Sequence, residues 1–242
     1  MQSFDINIHK THLTNILLDI YKDNNLSKSL GFKGGTAAMF FYSLPRFSVD
    51  LDFDLTNKFG ADSKETEIII KRITSLLQNK YIIKDQSTKF NTLFWAVSYA
   101  EGTRQIKVEI STRDQPFNDY DMEPFYGVTI KLSQIRDIIA HKMTAISDRK
   151  SLANRDLFDT HFFLSSKYAT DINYEIIKQK TGKTPDIFYM DLLNFLKNID
   201  NKNLLDGLGE LIDEKQKYWV KNSLLKELTG LIERQIDLKT WS

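Results

Sequence analysis

The chain is 242 residues long, 41% hydrophobic and 27% charged, with 33 basic side chains against 32 acidic ones. That balance excludes a disordered or polybasic protein, so a polyanionic partner would have to be held by a local patch. The absence of cysteine excludes a disulfide framework, a thiolate zinc site and a cysteine nucleophile.

Leu13, Ile16, Leu17 and Ile20 recur at helical spacing over residues 8–21. The opening MQSFDINIHK has no signal-peptide pattern, and no apolar run nears the roughly 20 residues of a membrane helix, so a cytoplasmic protein is expected. Residues 29–33 read as a short strand entering a Gly34-Gly35-Thr36 turn, with a helix starting at Thr36. Over 49–55 apolar and acidic residues alternate strictly. A strand then puts Val49, Leu51, Phe53 and Leu55 on one face and Asp50, Asp52 and Asp54 on the other. Three like charges on one face repel each other unless cations neutralise them, and a pair of Mg²⁺ ions would do so. The competing reading is a solvated acidic edge strand. Glycines let backbone amides approach a phosphate, and a helix starting there aims its positive end at the same anion. A phosphate cradle ahead of paired carboxylates reads as nucleotide chemistry.

Asp62 and Glu65 suggest a capped helix running to about residue 79, with Ile69, Ile73, Leu76 and Leu77 as its stripe. Strands are expected at 81–85, 90–99 and 104–111. The last turns Ile106, Val108 and Ile110 one way and Lys107, Glu109 and Ser111 the other. From about residue 133 the pattern is helical, so a boundary is placed near 131, between a mixed α/β half (1–131) and a helical half (132–242). In the helix at 133–149, Lys142 falls within the stripe of Ile135, Ile138, Ile139 and Ile146. Its stem either snorkels, or its ammonium reaches a triphosphate. Asn154 is the expected N-cap of the next helix, whose first turn holds Asp156. Thr181-Gly182-Lys183-Thr184 lacks the first glycine of a phosphate loop, and Gly182 reads instead as a helix C-cap. The four histidines show no metal-ligand spacing and are taken as structural. Residues 215–239 read as one long amphipathic helix.

Gly34-Gly35-Thr36-Ala37 and Arg46-x-Ser48-x-Asp50-Leu51-Asp52-Phe53 together resemble the first motif of the AbiEii/MenT family. These are nucleotidyltransferase toxins of abortive-infection and toxin–antitoxin systems, with a DNA polymerase β-like fold. Lys142, Ala145 and Arg149 resemble the family's second motif, and Arg155-Asp156-x-x-Asp159 its third, so the resemblance covers most of the chain. It implies a polymerase β-like α/β domain with a mixed sheet, followed by a helical half that completes the active site. It implies that Asp50 and Asp52 bind two Mg²⁺ ions (or Mn²⁺), with Glu109 as a third carboxylate unless it pairs with a basic residue across the sheet. Gly34, Gly35 and Thr36 would cradle the β- and γ-phosphates, and Arg46, Ser48, Lys142 and Arg149 would also serve the nucleotide. Asp156 would orient Lys142 or act as a base. The implied reaction moves a nucleoside monophosphate from an NTP to RNA, in particular the tRNA 3′ end, blocking translation. The implied partner is a cognate antitoxin of winged-helix type. Two other readings stay open: transfer to a protein or small-molecule hydroxyl, and an inactive homologue acting as a binding module. An RNA acceptor would call for a basic patch, with Arg46, Arg104, Lys107 and Arg113 placed to form it.

Overall fold

The computed structural model describes residues 5–57, 63–148 and 153–239. The chain forms two compact units, Met1–Ser43 with Phe47–Ser133, and Leu44–Arg46 with Gln134–Ser242.

The first unit is built on a seven-stranded mixed sheet. In chain order its strands are β1 (Leu30–Lys33), β2 (Leu51–Leu55), β3 (Ile82–Lys89), β4 (Thr92–Ser98), β5 (Ile106–Ser111), β6 (Tyr120–Phe125) and β7 (Val128–Ser133). They lie side by side as β3-β4-β5-β2-β1-β7-β6. The acidic strand β2 is therefore central, antiparallel to β1 and parallel to β5. Its alternation divides the sheet into two faces. Leu51 and Phe53 are fully buried, and the Phe53 ring lies 5.3 Å from Phe32 and 6.4 Å from Tyr21 of α1 (Ile6–Lys22). Burying a ring of this size contributes about 1.5–3 kcal/mol. That apolar face fixes the register, and with it which side the aspartates take.

Two elements escape the sequence pattern. The hairpin β6–β7 turns at Tyr126 and Gly127, with φ of 48° and 79°. Two successive positive φ values fit the primed hairpin turns, for which Asn-Gly is the usual sequence signal, and tyrosine hides it. β6 also holds Pro124, which a ladder tolerates only at an edge. Elsewhere the corrections are local. After the one-turn helix α2 (Leu26–Ser29), helix α3 runs Gly34–Phe41 and starts two residues before Thr36. Helix α4 (Lys64–Gln78) is capped by Ser63, whose hydroxyl accepts from the Thr66 amide; the expected cap Asp62 lies outside the described residues.

The second unit is helical: α5 (Ile135–Asp148), α6 (Asn154–Leu164), α7 (Tyr174–Thr181), α8 (Pro185–Lys197), α9 (Glu214–Asn222) and α10 (Leu224–Leu238), with two short 3-10 turns. Gly182 caps α7 with a left-handed φ of 70°. Asn154 is not a cap. It opens α6 after Ala153, and its amide donates to the carbonyls of Asn203 and Asp206. The expected long C-terminal helix is broken at Ser223, whose φ of −130° is not helical. Among the described residues no helix is long and apolar enough to cross a membrane.

Candidate active site

In the first unit the acidic strand is held at its entry by three contacts. Thr36 is fully buried, and its hydroxyl donates to the Asp50 carbonyl. His9, also fully buried, places Nε2 3.0 Å from the Val49 carbonyl. A carbonyl can only accept, so Nε2 carries the proton, and burial holds the imidazole below its ordinary pKa. The backbone N–H of Lys107 donates to Asp50 Oδ1 at 3.3 Å. Thr36 thus serves differently from the sequence expectation. Its hydroxyl braces Asp50, and what remains for a phosphate is the backbone of the turn. No side chain caps α3, so its first amides have no capping acceptor.

Asp52 stands across from Lys33 of β1 on one side and from Glu109 of β5 on the other. All three are half-buried. Among the described residues Glu109 forms no ion pair with a lysine or arginine. Its cross-strand neighbours are Asp52 and Phe94, which explains why the basic partner is missing. Two carboxylates side by side are mutually repulsive. Gly34 closes this group. Its φ is +80°, and a Cβ built there would lie 2.9 Å from Asp52 Cβ and 3.0 Å from its Cγ. The turn and the carboxylate therefore touch, and only glycine permits it. Gly34→Ala should cost about 1–3 kcal/mol in thermal unfolding and displace Asp52. A variant as stable and active as the parent would show that this approach has no role.

Asp54 departs from the expectation of three equivalent charges. It is 1% exposed, ion-paired with Lys33, and it accepts from Asn118 Nδ2 at 3.0 Å and from Tyr120 Oη at 2.8 Å. The segment thus carries two half-buried aspartates, Asp50 just before β2 and Asp52 within it, and one buried, internally neutralised aspartate. Asp54→Ala orphans three donors and should cost about 2–4 kcal/mol, somewhat less than a deeply buried pair because Lys33 can turn to water. Chemical denaturation measures this directly. A loss below 0.5 kcal/mol, within the ordinary range for an unremarkable surface change, would contradict the pairing.

In the second unit Arg46, Lys142, Asp156 and Asp159 form one cluster. Arg46 and Asp159 are almost wholly buried and paired through two bonds, Nε–Oδ1 at 2.5 Å and Nη2–Oδ2 at 2.6 Å. Lys142 Nζ lies 2.8 Å from Asp159 Oδ2 and 3.0 Å from Asp156 Oδ1. Burial alone would lower the lysine pKa, but Asp159 and Asp156 outweigh it and hold it above the ordinary range. Burial alone would likewise raise Asp159, yet Arg46 and Lys142 hold it below the usual carboxylate range. Lys142 is therefore no simple snorkelling side chain, since its ammonium is clasped by two carboxylates and its side chain is 14% exposed. Arg46 is buried rather than solvent-facing, which removes it from a surface patch for RNA. Asp159, absent from the expected site residues, is the hub of the cluster. Its place in the third motif was the available signal.

Of the other expected residues, Gly35 and Ser48 are buried in the first unit, and Arg149 lies outside the described residues. Arg104, Lys107 and Arg113 are exposed.

The mixed sheet brings a glycine turn against Asp52, with Asp50 two residues earlier. Two crystal structures share the fold. One, JHP933 from Helicobacter pylori, is 21% identical with a TM-score of 0.63, over 99% of this chain and 97% of that one. The other, described as a candidate nucleotidyltransferase from H. pylori, is 24% identical with a TM-score of 0.60, over 96% of each chain. The family described as nucleotidyl transferase AbiEii toxin, type IV toxin–antitoxin system, matches residues 15–220, and the chain belongs to it. No curated protein sequence matches the chain.

Proposed function

We propose that this protein transfers a nucleoside monophosphate from an NTP to the 3′ end of an RNA, tRNA foremost, in a Mg²⁺-dependent reaction for which Mn²⁺ can substitute. We also propose that a cognate antitoxin of winged-helix type restrains it. Membership of a type IV toxin–antitoxin family supports the nucleotidyl transfer and the antitoxin. The observation that carries the reading is the contact of Gly34 with Asp52, which puts the backbone turn at the start of α3 against a carboxylate.

Asp50, Asp52 and Glu109 offer only oxygen donors, and the Asp52–Glu109 adjacency calls for a cation. Among the described residues no three carboxylate or imidazole groups gather around one point. The fit is thus to a pair of ions, each held by one or two carboxylates and completed by water and phosphate oxygens, as Mg²⁺ is. When bound, Mg²⁺ supplies charge neutralisation and polarises the phosphate oxygens. The chain's own residues hold and orient. The amides at Gly34, Gly35 and Thr36 receive the β- and γ-phosphates, and the braces on Asp50 keep its carboxylate in place. Lys142 and Asp156 act in the same reaction by their place in the family motifs, with Asp159 and Arg46 positioning the lysine.

The test is incubation with α-labelled triphosphates, total RNA and Mg²⁺. Label in tRNA is the expected result. Label in protein instead would move the acceptor to a protein hydroxyl, and no label anywhere would indicate a binding module.

A further inference from the structure

The polar face of the sheet continues past Asp50 and Asp52 to a cleft whose residues have no part in the steps described above. Asp54 lies one step of the alternation beyond Asp52, about 7 Å further along the strand. Its register partner in β1 is Gly31, and a Cβ on Gly31 would collide with the Tyr120 ring. The missing side chain lets Tyr120 lie across the sheet, its hydroxyl on Asp54 and its ring 5.8 Å from the Lys131 ammonium. Asn118, also bonded to Asp54, forms a neighbouring wall. The buried aspartate thus anchors two walls of a cleft of about 580 Å³, within the range of small-molecule sites.

Two cations line this cleft, Lys131 and Arg113. Lys131 Nζ donates to the Lys28 carbonyl at 3.1 Å and the Thr56 hydroxyl at 2.7 Å, both neutral. Among the described residues neither cation forms an ion pair, and the one carboxylate in the lining, Asp114, is exposed. Burial without a counter-charge holds the Lys131 pKa below its ordinary value. Gln115 and Asn57 add amides that can bond a polar body attached to that anion.

We infer that this cleft is a phosphate-binding site, with Lys131 and Arg113 as its cations, for a phosphate of the acceptor strand or of the nucleotide. The inference rests on the reading that the chain handles phosphate-bearing substrates. The test labels native protein with a limiting amine-reactive anhydride and follows Lys131 by mass spectrometry, with exposed Lys84 as the internal reference. An anion bound beside Lys131 raises its pKa, and one pKa unit lowers the free-amine fraction, and so the labelling, about ten-fold. Protection by tRNA but not by NTP or pyrophosphate assigns the acceptor strand; protection by NTP or pyrophosphate assigns the triphosphate. Unchanged Lys131 labelling in every arm, at ligand concentrations that saturate binding, overturns the site. As a second measurement, the Lys131→Met/Arg113→Gln double variant should flatten the salt dependence of the protecting ligand's binding by about one to two units of slope. An unchanged slope would also overturn it. RNA labelled by wild-type protein with Lys131 unprotected would leave the proposed transfer standing and remove the cleft. Protection of Lys131 with no transfer to any acceptor would do the reverse.

Discussion

Asp52→Asn is expected to lower nucleotide transfer by about 1,000-fold or more, since on the proposed reading it removes a carboxylate that holds Mg²⁺, and with it several kcal/mol from the transition state. The asparagine keeps the size of the side chain, so its contact with Gly34 survives and the fold should stay intact. Without Mg²⁺ the melting temperature should hold or rise, because the repulsion between Asp52 and Glu109 is relieved. Asp50→Asn should behave likewise in activity while keeping an acceptor for the Lys107 amide. Single-turnover transfer with labelled NTP, paired with melts in chelator, measures both. Substantial residual activity in both variants would remove the carboxylate pair from the chemistry.

The largest effect on stability should come from the helical unit. Asp159→Ala leaves Arg46 buried without its bidentate partner and should cost about 3–5 kcal/mol. The paired change Arg46→Met with Asp159→Leu should recover most of that, since apolar groups of similar volume replace both charges. Lys142→Met preserves the stem and should fold, yet lose activity; a fully active methionine variant would make the lysine structural only. The pH dependence follows from the shifts. Asp159 is depressed in the folded state, so its contribution is complete above the ordinary carboxylate pKa of about 3.9 and is lost as pH falls through its lower folded value. Lys142 is raised, so its contribution is complete below about 10.4 and is lost as pH rises through its folded value. His9, buried and neutral, adds an earlier loss as pH falls below about 6.5, where the unfolded chain takes up a proton first. Acid titrations of the wild type and the Arg46→Met/Asp159→Leu variant should therefore run parallel near neutrality, with the wild type losing more stability below pH 4. Identical curves throughout would contradict the cluster's role.

The acidic strand was legible because alternation is a local property: Leu51 and Phe53 must turn inward, so Asp52 turns outward. Gly34 was legible for a similar reason, and the structure adds the carboxylate that excludes a side chain there. What the sequence concealed is non-local. Arg46 and Asp159 are 113 positions apart, and no periodicity predicts their pairing. Asp54 looks like its two neighbours until Lys33, Asn118 and Tyr120 arrive around it from other strands and loops. Thr36 resembled a phosphate ligand by its position, but its hydroxyl was claimed by a carbonyl 14 residues away. The hairpin β6–β7 carries no plain sequence signal, because its turn uses tyrosine where asparagine is usual and β6 holds Pro124, which a ladder tolerates only at the sheet edge where β6 lies.

The most direct test compares wild type with Asp52→Asn on purified tRNA, using each of the four α-labelled NTPs with Mg²⁺ and mapping the label by 3′-end analysis. Label confined to the tRNA 3′ terminus with wild type, and absent with Asp52→Asn, is the predicted result. No label in RNA with any nucleotide, or label that persists at the same rate in the Asp52→Asn protein, would contradict it.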